Sequence, residues 1–182
     1  MVGMLELKLT NLQQRILRLF FIQTGKSLNS LAIAKNLKVS QTAVSKSLPF
    51  LEKNNFIQVK KDNDSKRLSI QLKEDNLKIQ QLKRVDNLKL LYESGFVDFI
   101  EKEFAGAVVI LFGSYAYGED VYNSDIDIAI VGRKEKKIKI EKFEKVFEKE
   151  IRINFYESFE KIHKNLKSNI FNGIVLLGRI NL

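Results

Sequence analysis

The segment DIDIAIV, Asp125 to Val131, alternates isoleucine with acidic or small residues. Period-two alternation marks a strand with two unlike faces, Ile126, Ile128 and Ile130 on one and Asp125, Asp127 and Ala129 on the other. The apolar run Ala107 to Phe112, in AVVILFGS, reads as a second strand that ends on Gly113 and Ser114. A chain patterned this way is committed to a sheet, and the spacing predicts two carboxylates projecting together from one sheet edge. Two like charges at that distance raise each other's pKa unless a cation lies between them. Oxygen ligands without His or Cys point to Mg²⁺ or Mn²⁺. Gly113 lets the backbone approach a ligand closely. Ser114 offers a hydroxyl and an N–H to a phosphate where a helix starts.

Composition narrows the chemistry further. The absence of Cys excludes disulfides and thiolate catalysis, and one histidine, His163, argues against an all-protein zinc site. The 182 residues suffice for one ordinary domain or two small ones, and 45% hydrophobic residues fit a folded chain. No apolar run approaches the roughly 18 residues a bilayer span requires. The opening MVGMLELKLTNLQQR lacks a basic-then-apolar signal pattern, so a cytoplasmic protein is expected. The net charge of +9 is uneven: residues 1–74 hold 13 Lys and Arg against 5 Asp and Glu, a net +8. Such an excess fits a domain that meets a polyanion, or a plain lysine-rich surface.

The N-terminal part alternates helical and strand patterns. LTNLQQRILRLFFIQTG places Leu12, Ile16, Leu19 and Phe20 at helical spacing and ends on Gly25. SLNSLAIAKNL gives a second short helix with Leu31, Ile33, Ala34 and Leu37 expected inward, and Val39 and Ser40 form the turn. Ser40 is placed to cap a third helix, QTAVSKSLPFLEKN, whose inner face is Val44, Leu48 and Leu51. Asn55 stands where a left-handed residue ends a helix. Pro49 is expected to kink or shorten that helix. FIQVK and RLSIQL alternate as strands around the tip KDNDSK.

That order, with LAIAKNLKVSQTAVSKSLPFLEKNNFIQV as its most specific piece, resembles the winged helix-turn-helix DNA-binding domains over about residues 8–73. The resemblance implies that the helix beginning near Gln41 lies in a major groove of double-stranded DNA. Gln41 and Thr42 suit base edges, Ser45 and Lys46 suit phosphates, and Lys66 and Arg67 stand at the wing. A winged helix used for protein contact is the plainer alternative. Residues 75–103 read as a helical connector. In DNLKIQQLKRVDNLKLLYESG the residues Leu82, Val85, Leu88 and Tyr92 share a face, which either packs on its own domain or pairs in a homodimer. FVDFIEKEF reads as a further helix.

Gly113, Ser114, Gly118, Ser124, Asp125 and Asp127 together resemble the polymerase-β-type nucleotidyltransferase signature, most like its minimal members, from about Phe104 to Leu182. The whole is expected to be α+β: an N-terminal winged helix over 1–74, a helical connector over 75–103, and a mixed sheet with helices over 104–182. The resemblance implies that Asp125 and Asp127 bind metal ions bridging a nucleoside triphosphate. It implies that Gly113 and Ser114, with Gly118 and Ser124 in the same motif, form the nucleotide site. A third carboxylate is expected from a later strand, here IRINFY. Ile151, Ile153 and Phe155 take its core face and Arg152, Asn154 and Tyr156 the other, so the third catalytic position falls on Asn154, a neutral residue. Glu150 and Glu157 flank the strand as substitutes. In RKEKKIKIEKFEKVFEKE, Ile140, Phe143, Val146 and Phe147 form an apolar helical stripe, and IFNGIVLLGR reads as a turn and an edge strand.

Two functions fit. One is a DNA-binding regulator whose second domain binds nucleoside triphosphate and Mg²⁺ at a weak or degenerate transferase site. The other is an active nucleotidyltransferase that modifies a nucleic acid or a separate helical partner protein, as minimal family members do in toxin–antitoxin pairs.

Overall fold

The computed structural model describes residues 9–61 and 68–180, and the chain divides into two compact units, Met1–Ile79 and Gln80–Leu182. The architecture is α+β, a winged-helix order of three helices and a hairpin followed by a mixed sheet with helices.

The first unit carries helices α1 (Asn11–Ile22), α2 (Ser30–Leu37) and α3 (Gln41–Lys53), then strands β1 (Ile57–Lys61) and β2 (Leu68–Leu72). Each helix starts on a side chain that accepts an otherwise unpaired backbone N–H. Thr10 and Gln13 form a capping box, Asn29 accepts from Ala32 N, and Ser40 accepts from Ala43 N. Ile16, Phe20, Ile33, Val44, Leu48 and Leu51 are buried, and β1 pairs antiparallel with β2. Leu31, expected inward, is half exposed: the eight-residue α2 buries Ile33 and Ala34, and Leu31 falls on its outer side. Pro49 does not shorten α3, which continues through it to Lys53, and Asn55 follows in the left-handed conformation at φ 60°.

The break between units falls inside helix α4 (Leu77–Glu93). The expected face of this helix splits, with Leu82 and Leu88 half-buried and Leu88 packed on the core. The helix's fully buried positions are Ile79, Lys83, Asn87 and Leu91, whereas Val85 and Tyr92 are exposed. Burial follows the four-residue repeat through a lysine and an asparagine because both find polar partners, described below. Beyond Gly95 come α5 (Phe96–Glu103), β3 (Val108–Phe112), α6 (Gly113–Tyr117), β4 (Ile126–Val131), α7 (Glu141–Phe147), β5 (Ile151–Tyr156), α8 (Lys164–Phe171) and β6 (Ile174–Leu177).

The sheet order is β5-β4-β3-β6, with β3 antiparallel to β4 and β6, and β4 parallel to β5. Both faces are covered. Ile126, Ile128, Ile130, Val109 and Leu111 pack with Phe96, Phe143 and Phe147 on one side. Ala129, Ile110, Phe112, Ile162 and Ile170 pack on the other. Val146, expected in the apolar stripe of α7, is half exposed because the seven-residue helix turns only Phe143 and Phe147 inward. The tail supplies β6 as the expected edge strand, and α8 ahead of it has no counterpart in the sequence reading.

Candidate functional site

β4 is an inner strand, so the carboxylates do not stand on a sheet edge. They stand at its N-terminal end: Asp125 immediately precedes the strand and Asp127 is its second residue. The antiparallel register sets Asp127 across from Phe112, the residue before Gly113. Gly113 adopts φ 75°, and a Cβ built on it would fall 2.4 Å from Asp127 Oδ2. Any other residue at 113 would therefore occupy the space beside that carboxylate. Gly113 and Asp127, fourteen positions apart in sequence, thus lie side by side.

The field at this site is unbalanced. Burial first, and the neighbouring Asp125 second, hold the Asp127 carboxyl above the usual carboxylate range, and Arg152 opposes them. Arg152 is the feature that sequence reasoning missed. The parallel register places it directly across from Asp127, and its Nη1 donates to Asp125 Oδ2 at 2.9 Å. Its Nε lies 3.7 Å from Glu150 Oε1. Asn154, expected as the third site residue, pairs in register with Ala129, one step further along the strand from the carboxylates. The residue of β5 that meets the aspartates is therefore a cation. Alternation had put Arg152 and Asn154 on the same face; only the register decides which of them reaches Asp125.

Of the other expected nucleotide-site residues, Gly118 and Ser124 have local duties. A Cβ at Gly118 would meet Gln80 O at 2.4 Å and Arg84 N at 2.8 Å, so this glycine lets the loop lie against the backbone of α4. Ser124 Oγ accepts from Val121 N at 2.9 Å and closes the turn before β4. The same loop is fastened through Asp120, which is fully buried. Lys83 and Lys149 each place Nζ 3.2 Å from its carboxylate, and Asn87 Nδ2 donates to Asp120 Oδ1 at 2.9 Å and to Tyr115 O at 3.1 Å. Lys149 also donates to Val121 O at 2.5 Å. No apolar periodicity announces this cluster, and it accounts for the polar residues that α4 buries.

The donor set fits a hard divalent cation at the aspartate pair: oxygen ligands, a carboxylate whose charge is penalised by burial and by its neighbour, and a glycine that keeps the adjoining space open. It does not supply a third carboxylate. Among the described residues there is no group of three or more His, Cys, Asp or Glu side chains arranged to hold a metal. His163 is used locally, its Nδ1 accepting from Asn165 N at the start of α8.

In the first unit, Gln41, Thr42, Ser45 and Lys46 are all exposed along one side of α3, opposite buried Val44, Leu48 and Leu51. Lys66 and Arg67 lie outside the described residues. Among the described residues no helix is long and apolar enough to cross a membrane.

Residues 93–177 match the family model described as a nucleotidyltransferase domain. No curated protein matches the chain. Among solved structures the chain is similar to the MepR–DNA complex of S. aureus, at 25% identity over 52% of this chain and 70% of that one, TM-score 0.37. It is also similar to the adhesin competence repressor AdcR of Streptococcus pyogenes, at 24% identity over 57% and 72%, TM-score 0.43. A third is a variant of ZitR from Lactococcus lactis, at 25% identity over 56% and 66%, TM-score 0.41. With TM-scores below 0.5, none of the three bears on function.

Proposed function

We propose that this chain is a cytoplasmic DNA-binding regulator whose nucleotidyltransferase domain binds a nucleoside triphosphate with Mg²⁺ or Mn²⁺, at a site with weak or no transferase activity. In this reading residues 1–74 bind duplex DNA, 75–103 connect, and 104–182 bind nucleotide. The observation that supports it is the closeness of Gly113 to Asp127, whose carboxylate lies where a Cβ at 113 would fall, so that the turn expected to bind phosphate adjoins the carboxylates. When bound, the divalent ion neutralises charge between the carboxylates and the triphosphate and polarises phosphate oxygens.

The chain's own residues do the rest. Asp125 and Asp127 hold the ion from the end of β4. Gly113 keeps the approach to Asp127 open, and Ser114, half-buried at the start of α6, offers its hydroxyl to the phosphates. Tyr156 lies on the same side of β5 as Arg152 but pairs in register with Val131, at the far end of β4 from the aspartates. Transfer needs a group that takes the proton of the attacking hydroxyl. Arg152 cannot accept one, and Asn154 brings no charge. Glu150, a substitute carboxylate, lies 3.7 Å from Arg152 Nε and is engaged by that cation, so binding is favoured over transfer to a partner protein or nucleic acid.

On the DNA side, the +8 charge of residues 1–74 supplies the attraction to phosphate. Exposed Gln41 and Thr42 read base edges, and Ser45 and Lys46 hold the backbone. The protein acts as a homodimer on paired half-sites. Incubation with radiolabelled nucleoside triphosphates, Mg²⁺ and duplex DNA tests the whole: retention of label that denaturation releases is expected. Label incorporated covalently into DNA, into the chain or into an added partner protein would make it an active transferase instead.

A further inference from the structure

We propose that Arg152 is a built-in counter-cation of the aspartate pair, which a divalent ion must displace from Asp125, so that this arginine sets the metal affinity of the site. The inference rests on the reading of Asp125 and Asp127 as metal ligands and adds a residue that controls them.

Register, geometry and exposure carry the argument. Parallel pairing fixes Arg152 across from Asp127, and the guanidinium reaches sideways to Asp125 Oδ2 at 2.9 Å. Glu150 Oε1, 3.7 Å from Nε, holds its other side. The guanidinium thus occupies the position from which a cation neutralises Asp125, and it lies on the strand from which the nucleotidyltransferase resemblance expects a third carboxylate. An arginine has five donors and no lone pair, so it cannot share a metal as a ligand; it can only compete with one for the carboxylate oxygen. The competition is winnable. The Arg152 side chain is 57% exposed and Asp125 24%, so the displaced guanidinium moves into water and leaves no buried charge behind. Exposed ion pairs of this kind are weak. Their loss corresponds to a tightening of the competing ion by about 1.5- to fivefold.

The experiment measures Mn²⁺ alone binding to the full chain, without nucleotide, by electron paramagnetic resonance of the free ion at low salt. Arg152→Gln is expected to bind Mn²⁺ about 1.5- to fivefold more tightly than the wild type. Arg152→Lys, which keeps the charge, is expected to stay near the wild type. In the wild type the Arg152 Nε–H resonance is expected to shift as Mg²⁺ is added, a readout that needs no substitution. Equal or weaker Mn²⁺ binding by Arg152→Gln, with measurable binding by the wild type, would overturn the counter-cation role and leave the metal site standing. Absence of Mn²⁺ binding in both proteins would overturn the metal site itself and this role with it.

Discussion

Arg152 gives its ion pair to Asp125, although its partner in strand register is Asp127. Asp127 consequently keeps most of its electrostatic burden, with burial and the Asp125 charge raising its pKa against a smaller opposing effect of Arg152. A carboxyl raised in the folded state favours folding while protonated, and that contribution is lost as pH rises through the folded pKa. Without metal, Asp127→Asn should therefore be more stable than the wild type at neutral pH. The gain should vanish as pH falls below the ordinary carboxylate range. Urea melts in chelator at neutral and acid pH measure this; a variant less stable at neutral pH would show that Asp127 is held by interactions its burial does not reveal.

Asp120 anchors two buried lysines at once, Lys83 from α4 and Lys149 from the loop before β5. Removing it leaves both cations in the core with their shared partner gone. Asp120→Ala should lose about 3–5 kcal/mol of unfolding free energy, the range for breaking a buried charge pair. Lys149→Met, which leaves Asp120 paired with Lys83, should lose less. Denaturant unfolding of the two variants gives the comparison, and equal losses would mean that the cluster does not act through Asp120.

The legible parts of this chain were those where local pattern and local chemistry agree. Ser40 caps the third helix as the sequence reads, and the isoleucines of DIDIAIV lie on one face of β4. What was hidden depends on pairing across the sheet or on long-range polar contacts. Arg152 and Asn154 alternate identically, and only the parallel register puts the arginine at the carboxylates. Helix α4 misled for a related reason. Its apolar residues Val85 and Tyr92 face outward because Asp120 rewards burial of Lys83 and Asn87. A hydrophobic stripe registers transfer free energy and is blind to a buried ion pair.

That outward stripe supports a prediction of assembly. Val85 is 66% exposed and Tyr92 47%, on a helix whose opposite side is already packed. Light scattering at micromolar concentration should report two copies of the chain, and Val85→Glu should return a monomer while keeping its helical circular dichroism. A monomeric wild type would reject the homodimer.

Lys46 and Gln41 should separate attraction from reading. Lys46→Ala should weaken binding of the full chain to most duplex sequences and lower the slope of log affinity against log salt by about one. Gln41→Ala should leave that slope unchanged and alter sequence preference, at a cost of about 1–3 kcal/mol on the preferred site. Fluorescence anisotropy across a salt series distinguishes the two. An affinity that does not change with salt would remove α3 from a DNA interface.

The joint site of Gly113, Ser114, Asp125 and Asp127 is tested most directly by titration calorimetry of ATP in Mg²⁺ with the wild type and Asp125→Asn. The wild type should give saturable heat that chelator abolishes. Asp125→Asn should lose most of it, and Ser114→Ala should retain more. Equal heats for the wild type and Asp125→Asn would contradict the account and leave the nucleotidyltransferase fold without its metal-dependent chemistry.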